Sequence, residues 1–192
     1  MKRGIKAAAL SGLFSGLMGL LLAGCGTPAE APQMGLSAAE SLQLRTWVPE
    51  MLKAQVSVGP VTGGQPTGKY WGAKVSNEAL QEAVEDSLRG VGMLATRPGS
   101  GRYALQVQLV SLEQPLVALN MRVVATLVYT LVDKNADASA TPLYQRRLRT
   151  VHVTEFTEAL IDPNERQRIA SENAVRKGVL TVVRELIELR LP

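Results

Sequence analysis

Apolar and polar residues first alternate regularly at residues 54–61, Ala-Gln-Val-Ser-Val-Gly-Pro-Val, where Val56 and Val58 stand two apart before a Gly-Pro break. A side-chain period of two belongs to a half-buried strand, so a short strand is predicted here. Thr62 to Tyr70 holds Gly63, Gly64, Pro66 and Gly68 and reads as a loop. The period then changes. Leu80, Val84, Leu88 and Val91 recur at helical spacing, Ser76 stands where an N-cap belongs, and Gly90 and Gly92 end the run. Gln81, Glu82, Glu85, Asp86 and Arg89 form the opposite, solvated face of this helix.

Three strand-like segments follow. In the first, Leu105, Val107 and Leu109 alternate with Gln106 and Gln108, and the segment ends at Pro115. The second, Met121 to Val132, is apolar on both alternating sets: Met121, Val123, Ala125, Leu127 and Leu131 on one, Val124, Val128 and Val132 on the other. Such a strand belongs in the middle of a sheet, covered at least in part on both sides. The third, Leu143 to Phe156, carries Arg146, Arg147 and Arg149, as an edge strand does to resist further pairing. After Asp162-Pro163 a long helix is predicted over Asn164 to Leu189, its apolar stripe marked by Ile169, Leu180, Val183 and Ile187 and widened by Val179, Val182 and Leu186. Within it Glu172 and Arg176 are spaced as an i,i+4 pair. The order strand-helix-strand-strand-strand-helix predicts an α+β fold: an antiparallel sheet of about four strands with two helices packed on one face.

Upstream the pattern is different. Lys2, Arg3 and Lys6 precede an uncharged apolar run from Ala7 to Leu22, and Leu22-Ala23-Gly24-Cys25 closes it with small residues and the single cysteine of the chain. Basic, then apolar, then small is the order of a secretory signal. The last four residues resemble the lipobox of bacterial lipoprotein precursors, which implies cleavage after residue 24 and a lipid-bearing Cys25. Acyl chains contribute roughly 0.8 kcal/mol per buried methylene, and two or more make a lasting membrane anchor. Residues 1–24 are therefore read as the signal, 25–49 as anchor, tether and a short helix, and 50–192 as a single domain. The tether is Gly26 to Met34, too poor in large side chains to repay ordering; the short helix begins at Ser37 and reaches Trp47, with Leu42 and Leu44 available to pack.

Composition then narrows the function. The whole chain carries +4, but removing Lys2, Arg3 and Lys6 from 21 basic residues leaves 18 against 17 acidic ones. That balance gives no reason to expect nucleic acid as a partner. One cysteine allows no intrachain disulfide. The only histidine, His152, lies on a strand beside Thr150 and Thr154, with no sequence partner that would make it a catalytic base. One histidine and no free thiol leave no expected metal site, and no phosphate-binding glycine motif or Gly-x-Ser-x-Gly elbow follows the signal. No cofactor is expected, and an enzyme has no positive support. Arg147 and Arg149 share one strand face and are the candidate anion-binding pair, guanidinium forks being suited to phosphate or carboxylate.

The lipobox, the helix from Ser76 to Gly92, the three consecutive strands and the final helix with Arg168, Ala170, Glu172, Ala174 and Arg176 together resemble small envelope lipoproteins. The layout is similar to lipopolysaccharide-assembly lipoproteins and to the auxiliary lipoproteins of ABC-type envelope transporters, over roughly residues 50 to 190. The resemblance implies a non-enzymatic accessory or scaffold protein held to a membrane by its acyl chains, with a transporter or barrel as its envelope partner. A binding module for an anionic envelope lipid or glycan is the alternative. Gly26, where a retention Asp would stand in enteric bacteria, implies the periplasmic face of the outer membrane, with the inner membrane as alternative.

Overall fold

The computed structural model describes residues 27–65, 74–115, 118–137, 140–158 and 162–191. The proposed signal and Cys25 lie outside them. β1 (Val56–Thr62), β2 (Tyr103–Glu113), β3 (Met121–Asp133) and β4 (Tyr144–Thr154) form one sheet in the order β1-β2-β3-β4. α3 (Asn77–Val91) connects β1 to β2, and α4 (Pro163–Glu188) follows β4. α1 (Ala31–Met34) and α2 (Ala38–Arg45) precede the sheet. The fold is α+β, as the element order predicts, with β3 internal and β4 at an edge. Among the described residues no helix is long and apolar enough to cross a membrane.

One pairing differs from the expected antiparallel sheet. β2, β3 and β4 form an antiparallel meander, but β1 runs parallel to β2. The reason is the connection: α3 crosses between β1 and β2 and returns the chain to the same end, as a helical crossover does. Its limits are set by caps: the Ser76 side chain accepts the Ala79 amide, and Gly92 closes the helix at φ +81°, where a side chain would be strained.

The core lies between the sheet and the helices. Leu105, Val107, Leu109, Val123, Ala125, Leu127, Tyr129 and Leu131 face inward against Leu80, Val84 and Leu88 of α3 and Val175, Val179, Val182 and Leu186 of α4. An extra residue at Val110 shifts the β2 register between Leu109 and Ser111, so that Leu112 pairs with Ala125. The buried stripe of α4 is rotated from the expected one. Ile169, Leu180 and Ile187 are only half-buried, while Ala170, Ala174 and Gly178 are enclosed. Small residues win this face because α4 lies close on β3 and β4; at Gly178 a Cβ would sit 3.2 Å from Leu127 Cδ1.

The N-terminal segment corrects a second expectation. Ala29, Ala31 and Met34, read as tether, are buried, Met34 completely. The Ala29 amide donates to Lys74 O (3.2 Å), and the Glu30 amide donates to Glu172 Oε1 (2.8 Å). Further on, the Leu36 amide donates to Ser87 Oγ (3.0 Å), and Ser41 lies so close to Gly90 that a Cβ there would be 2.7 Å from its hydroxyl. Composition underestimated this segment because its burial depends on a groove between α3 and α4 that only the folded chain provides. α2 has the predicted start, with Ser37 and Glu40 closing a reciprocal capping box. Of its two expected packing residues, Leu44 is half-buried and Leu42 is exposed.

Candidate functional site

With α3 and α4 on one side, no helix among the described residues lies on the other, open face of the sheet. The registers align its side chains in rows across the strands. Gln106, Thr130 and Gln145 form one row; Gln108, Val128 and Arg147 the next; Ser111, Thr126 and Arg149 a third. Glu113, Val124 and Val151 follow, then Arg122 beside Val153. Val124 and Thr126 are buried although no helix lies over them. Their neighbours on both adjacent strands enclose them, which internal β3 makes possible. Pro60, Thr62, Gln106, Gln108, Val128, Thr130 and Gln145 line a depression of about 380 Å³ on this face.

Arg147 and Arg149 both lie on the open face and both are exposed. Their alternation is therefore as predicted, but their setting is not a groove between sheet and helices, because that space holds the core. Arg149 Nη2 lies 3.6 Å from Glu113 Oε2, with more than half of each side chain in solvent, a pair of little energetic weight. Arg146 points to the other face and lies 3.7 Å from Glu185 of α4. The surface thus offers amide, hydroxyl and guanidinium groups around a short valine strip. It can donate hydrogen bonds to a polar or anionic partner. Gln106 and Gln108 were visible as alternating polar positions in the sequence; Glu113 joins their face only through the register shift at Val110, and the alignment with Thr130 and Gln145 needed the strand registers.

His152 sits on the helix-facing side of β4, opposite Val123. Its Nε2 is buried without a hydrogen-bond partner. Burial, reinforced by the Lys177 charge and opposed by Glu158, lowers its pKa below the usual histidine value. It lies on the opposite face of β4 from Arg147 and Arg149, so the structure does not bring the three together. Among the described residues no group of three His, Cys, Asp or Glu side chains could hold a metal ion.

A second polar cluster, on the first half of α4, fastens the N-terminal segment. Glu172 is buried, accepts the Glu30 amide, and takes a hydrogen bond from Arg168 Nη1 at 2.7 Å. Arg168 also binds Glu165, at 3.0 Å through Nε and 2.5 Å through Nη2. Burial raises the Glu172 pKa, against the lowering effect of the Glu30 amide and Arg168. The i,i+4 pair expected between Glu172 and Arg176 does not form. Glu172 pairs one turn back with Arg168, and Arg176 reaches Glu40 of α2. Gln114, Gln167 and Ser171 extend the cluster toward the end of β2 through side-chain hydrogen bonds of 2.8 and 3.1 Å.

No protein-family model matches the sequence, and no curated protein matches it. Similarity is found among solved structures. The fold is similar to a DUF330-family protein from Xanthomonas campestris, with TM-score 0.53 and 15% identity over 70% of this chain and 84% of that one. A Caulobacter crescentus protein described as a candidate lipoprotein gives TM-score 0.49 at 13% identity, covering 76% of this chain and 93% of that one. A minor lipoprotein from Acinetobacter baumannii gives 0.47 at 11%, covering 73% and 97%. At these identities the first likeness is one of fold.

Proposed function

We propose that the protein is a non-enzymatic lipoprotein, anchored through Cys25, whose open sheet face docks on a protein partner in envelope transport or outer-membrane assembly. The observation that carries this reading is the one-sided packing: α3 and α4 cover one face, and no helix among the described residues covers the rows from Gln106 to Val153. A face with valines at its centre and polar groups around them has the make-up of an interaction surface, an apolar middle inside a polar rim. Lipid attachment is supported by the leader and by Leu22-Ala23-Gly24-Cys25. Gly26 after the cysteine favours the outer membrane over the inner.

Photo-crosslinking in intact cells tests the docking face. A crosslinker at Val128 or Gln145 is expected to trap a discrete envelope protein, while one at Gln81, on the exposed face of α3, is not. Equal adducts from all three positions, or none from the sheet, would refute it. Fractionation of the same cells decides the membrane.

The exposed, neighbouring positions of Arg147 and Arg149 favour a second reading, a site for an anionic envelope lipid or glycan. Replacing both by alanine should then weaken binding to vesicles containing anionic lipid. Unchanged binding would remove the arginines from that role.

A further inference from the structure

The path of the N-terminal segment shows at which end of the fold the chain enters. From Ala29, beside Lys74 and Glu172, the chain passes Ser87 at Leu36 and Gly90 at Ser41. It therefore climbs from the start of α3 toward its end, and its upstream end lies at the start of α3 and beside the first half of α4. The same end of the fold holds the ends of β1, β2 and β4 and the beginning of β3. Between Cys25 and the buried Ala29 there are only four residue steps, at most about 14 Å of extended chain. The nine-residue tether expected from composition would have allowed about 30 Å.

Two of the exposed large apolar side chains lie at this end. Leu119, in the turn before β3, is 75% exposed, and Phe156, just after β4, is 40% exposed. The two loops are joined by the Phe156 amide donating to Asn120 Oδ1 (3.1 Å). Arg166 lies over the Phe156 ring at 5.0 Å and precedes Glu172, where the anchor segment is fastened, by six residues, about 9 Å along the helix. The other exposed apolar group, Leu42, Trp47 and Met51, lies toward the opposite end, near the finish of α3 and the start of β1. A strand of 13 residues such as β3 separates the two ends by roughly 40 Å.

We propose that the end of the sheet bearing Leu119 and Phe156 is a bilayer-contacting surface, held there by the four-residue link to lipidated Cys25. This rests on the anchoring read above. Amphipathic surfaces sink their apolar side chains about 5–10 Å into the headgroup boundary, which is within reach of so short a link. Glu155, Glu158 and Asp162 are exposed at the same end together with Arg122, so the acidic groups outnumber the exposed arginine and the contact is carried by the apolar side chains. The far end, with Trp47 and Met51, and the open sheet face stay clear of the membrane for a partner.

The test uses the full acylated chain in phosphatidylcholine vesicles carrying nitroxide-labelled headgroups. An environment-sensitive fluorophore is attached at Leu119→Cys or, separately, at Met51→Cys, both exposed positions. Quenching at position 119 should exceed that at 51 by about twofold or more, the depth range of interfacial side chains being only several Å. Twenty Gly/Ser residues inserted between Gly26 and Thr27, adding about 25 Å of reach, should reduce the difference. Equal or reversed quenching would overturn the proposal, and so would a difference unaffected by the insertion. The mass of the Cys25 peptide separates the two readings. A lipidated chain with equal quenching refutes the orientation alone, whereas an unmodified cysteine refutes anchoring and orientation together.

Discussion

Arg168 and Glu172 stand one helical turn apart on α4, 2.7 Å between Nη1 and Oε1, and the same Oε1 accepts the backbone amide of Glu30. A pair on one helix thereby fastens a segment 142 positions away in sequence. Glu172 is almost wholly enclosed, with 3% of its side chain exposed, and Arg168 is 15% exposed.

Removing Arg168 therefore leaves a buried carboxylate without its countercharge. Arg168→Ala should destabilise the domain by about 3 kcal/mol at neutral pH. Burial already raises the Glu172 pKa above the ordinary 4.5. A carboxyl whose folded pKa is raised weakens the fold as pH climbs through that window, and the penalty is relieved as pH falls. The deficit of Arg168→Ala should accordingly narrow between pH 7 and pH 5 in urea unfolding. A deficit below 1 kcal/mol, or one independent of pH, would contradict this account.

Glu40 has the opposite sign. It accepts the Ser37 amide at 2.8 Å and the Ser37 hydroxyl at 2.6 Å, and it pairs with Arg176. The Ser37 hydroxyl above all, then the Ser37 amide and Arg176, pull its pKa from 4.5 down to about 2 against the opposing effect of burial. Its contribution is present above pH 4.5 and is lost as pH falls from there toward 2. Glu40→Gln should cost stability at pH 6 and lose most of that cost by pH 2.5. Ser37→Ala should cost about 1 kcal/mol as a lost cap. Parallel unfolding curves for wild type and Glu40→Gln across this range would count against it.

The hydroxyl of Tyr129 is buried in the core with no hydrogen-bond partner. Burial holds its pKa far above the normal tyrosine range, so it stays protonated. Tyr129→Phe removes an unsatisfied polar group and keeps the ring. The variant should be as stable as wild type or more so, by up to about 1 kcal/mol. A loss of more than 1 kcal/mol by calorimetry would show that the hydroxyl has a partner.

His152 gives a third pH window. With its pKa lowered below 6.5 by burial and by Lys177, the neutral ring is the one the fold accepts. Its contribution is complete above pH 6.5 and declines as pH falls below that value toward the folded pKa. His152→Gln should flatten this part of the profile, so that its Tm falls less than wild type between pH 7.5 and 5.5. An identical fall in both would exclude His152 as the source.

The boundaries of α3, the central place of β3, the exposed arginines at the β4 edge and the α+β layout were all legible in local pattern. Each rests on a period, a cap or a break that acts within a few residues. Val124 and Val128 even announced a second apolar face on β3. What the pattern could not carry was anything set by contact between distant segments. Parallel pairing of β1 depends on where α3 returns the chain, and the rotated stripe of α4 depends on how closely the helix lies on Leu127 and Tyr129. Glu172 pairs with Arg168 and accepts the Glu30 amide, while Arg176 is drawn to Glu40 on α2. Ala29 and Ala31 are small enough to look like tether in sequence, and they are buried only because α3 and α4 leave a narrow groove between them. Sequence thus determined the elements and the place of the single cysteine. Tertiary packing decided how short the link to that cysteine is, and so which end of the domain stands nearest to it.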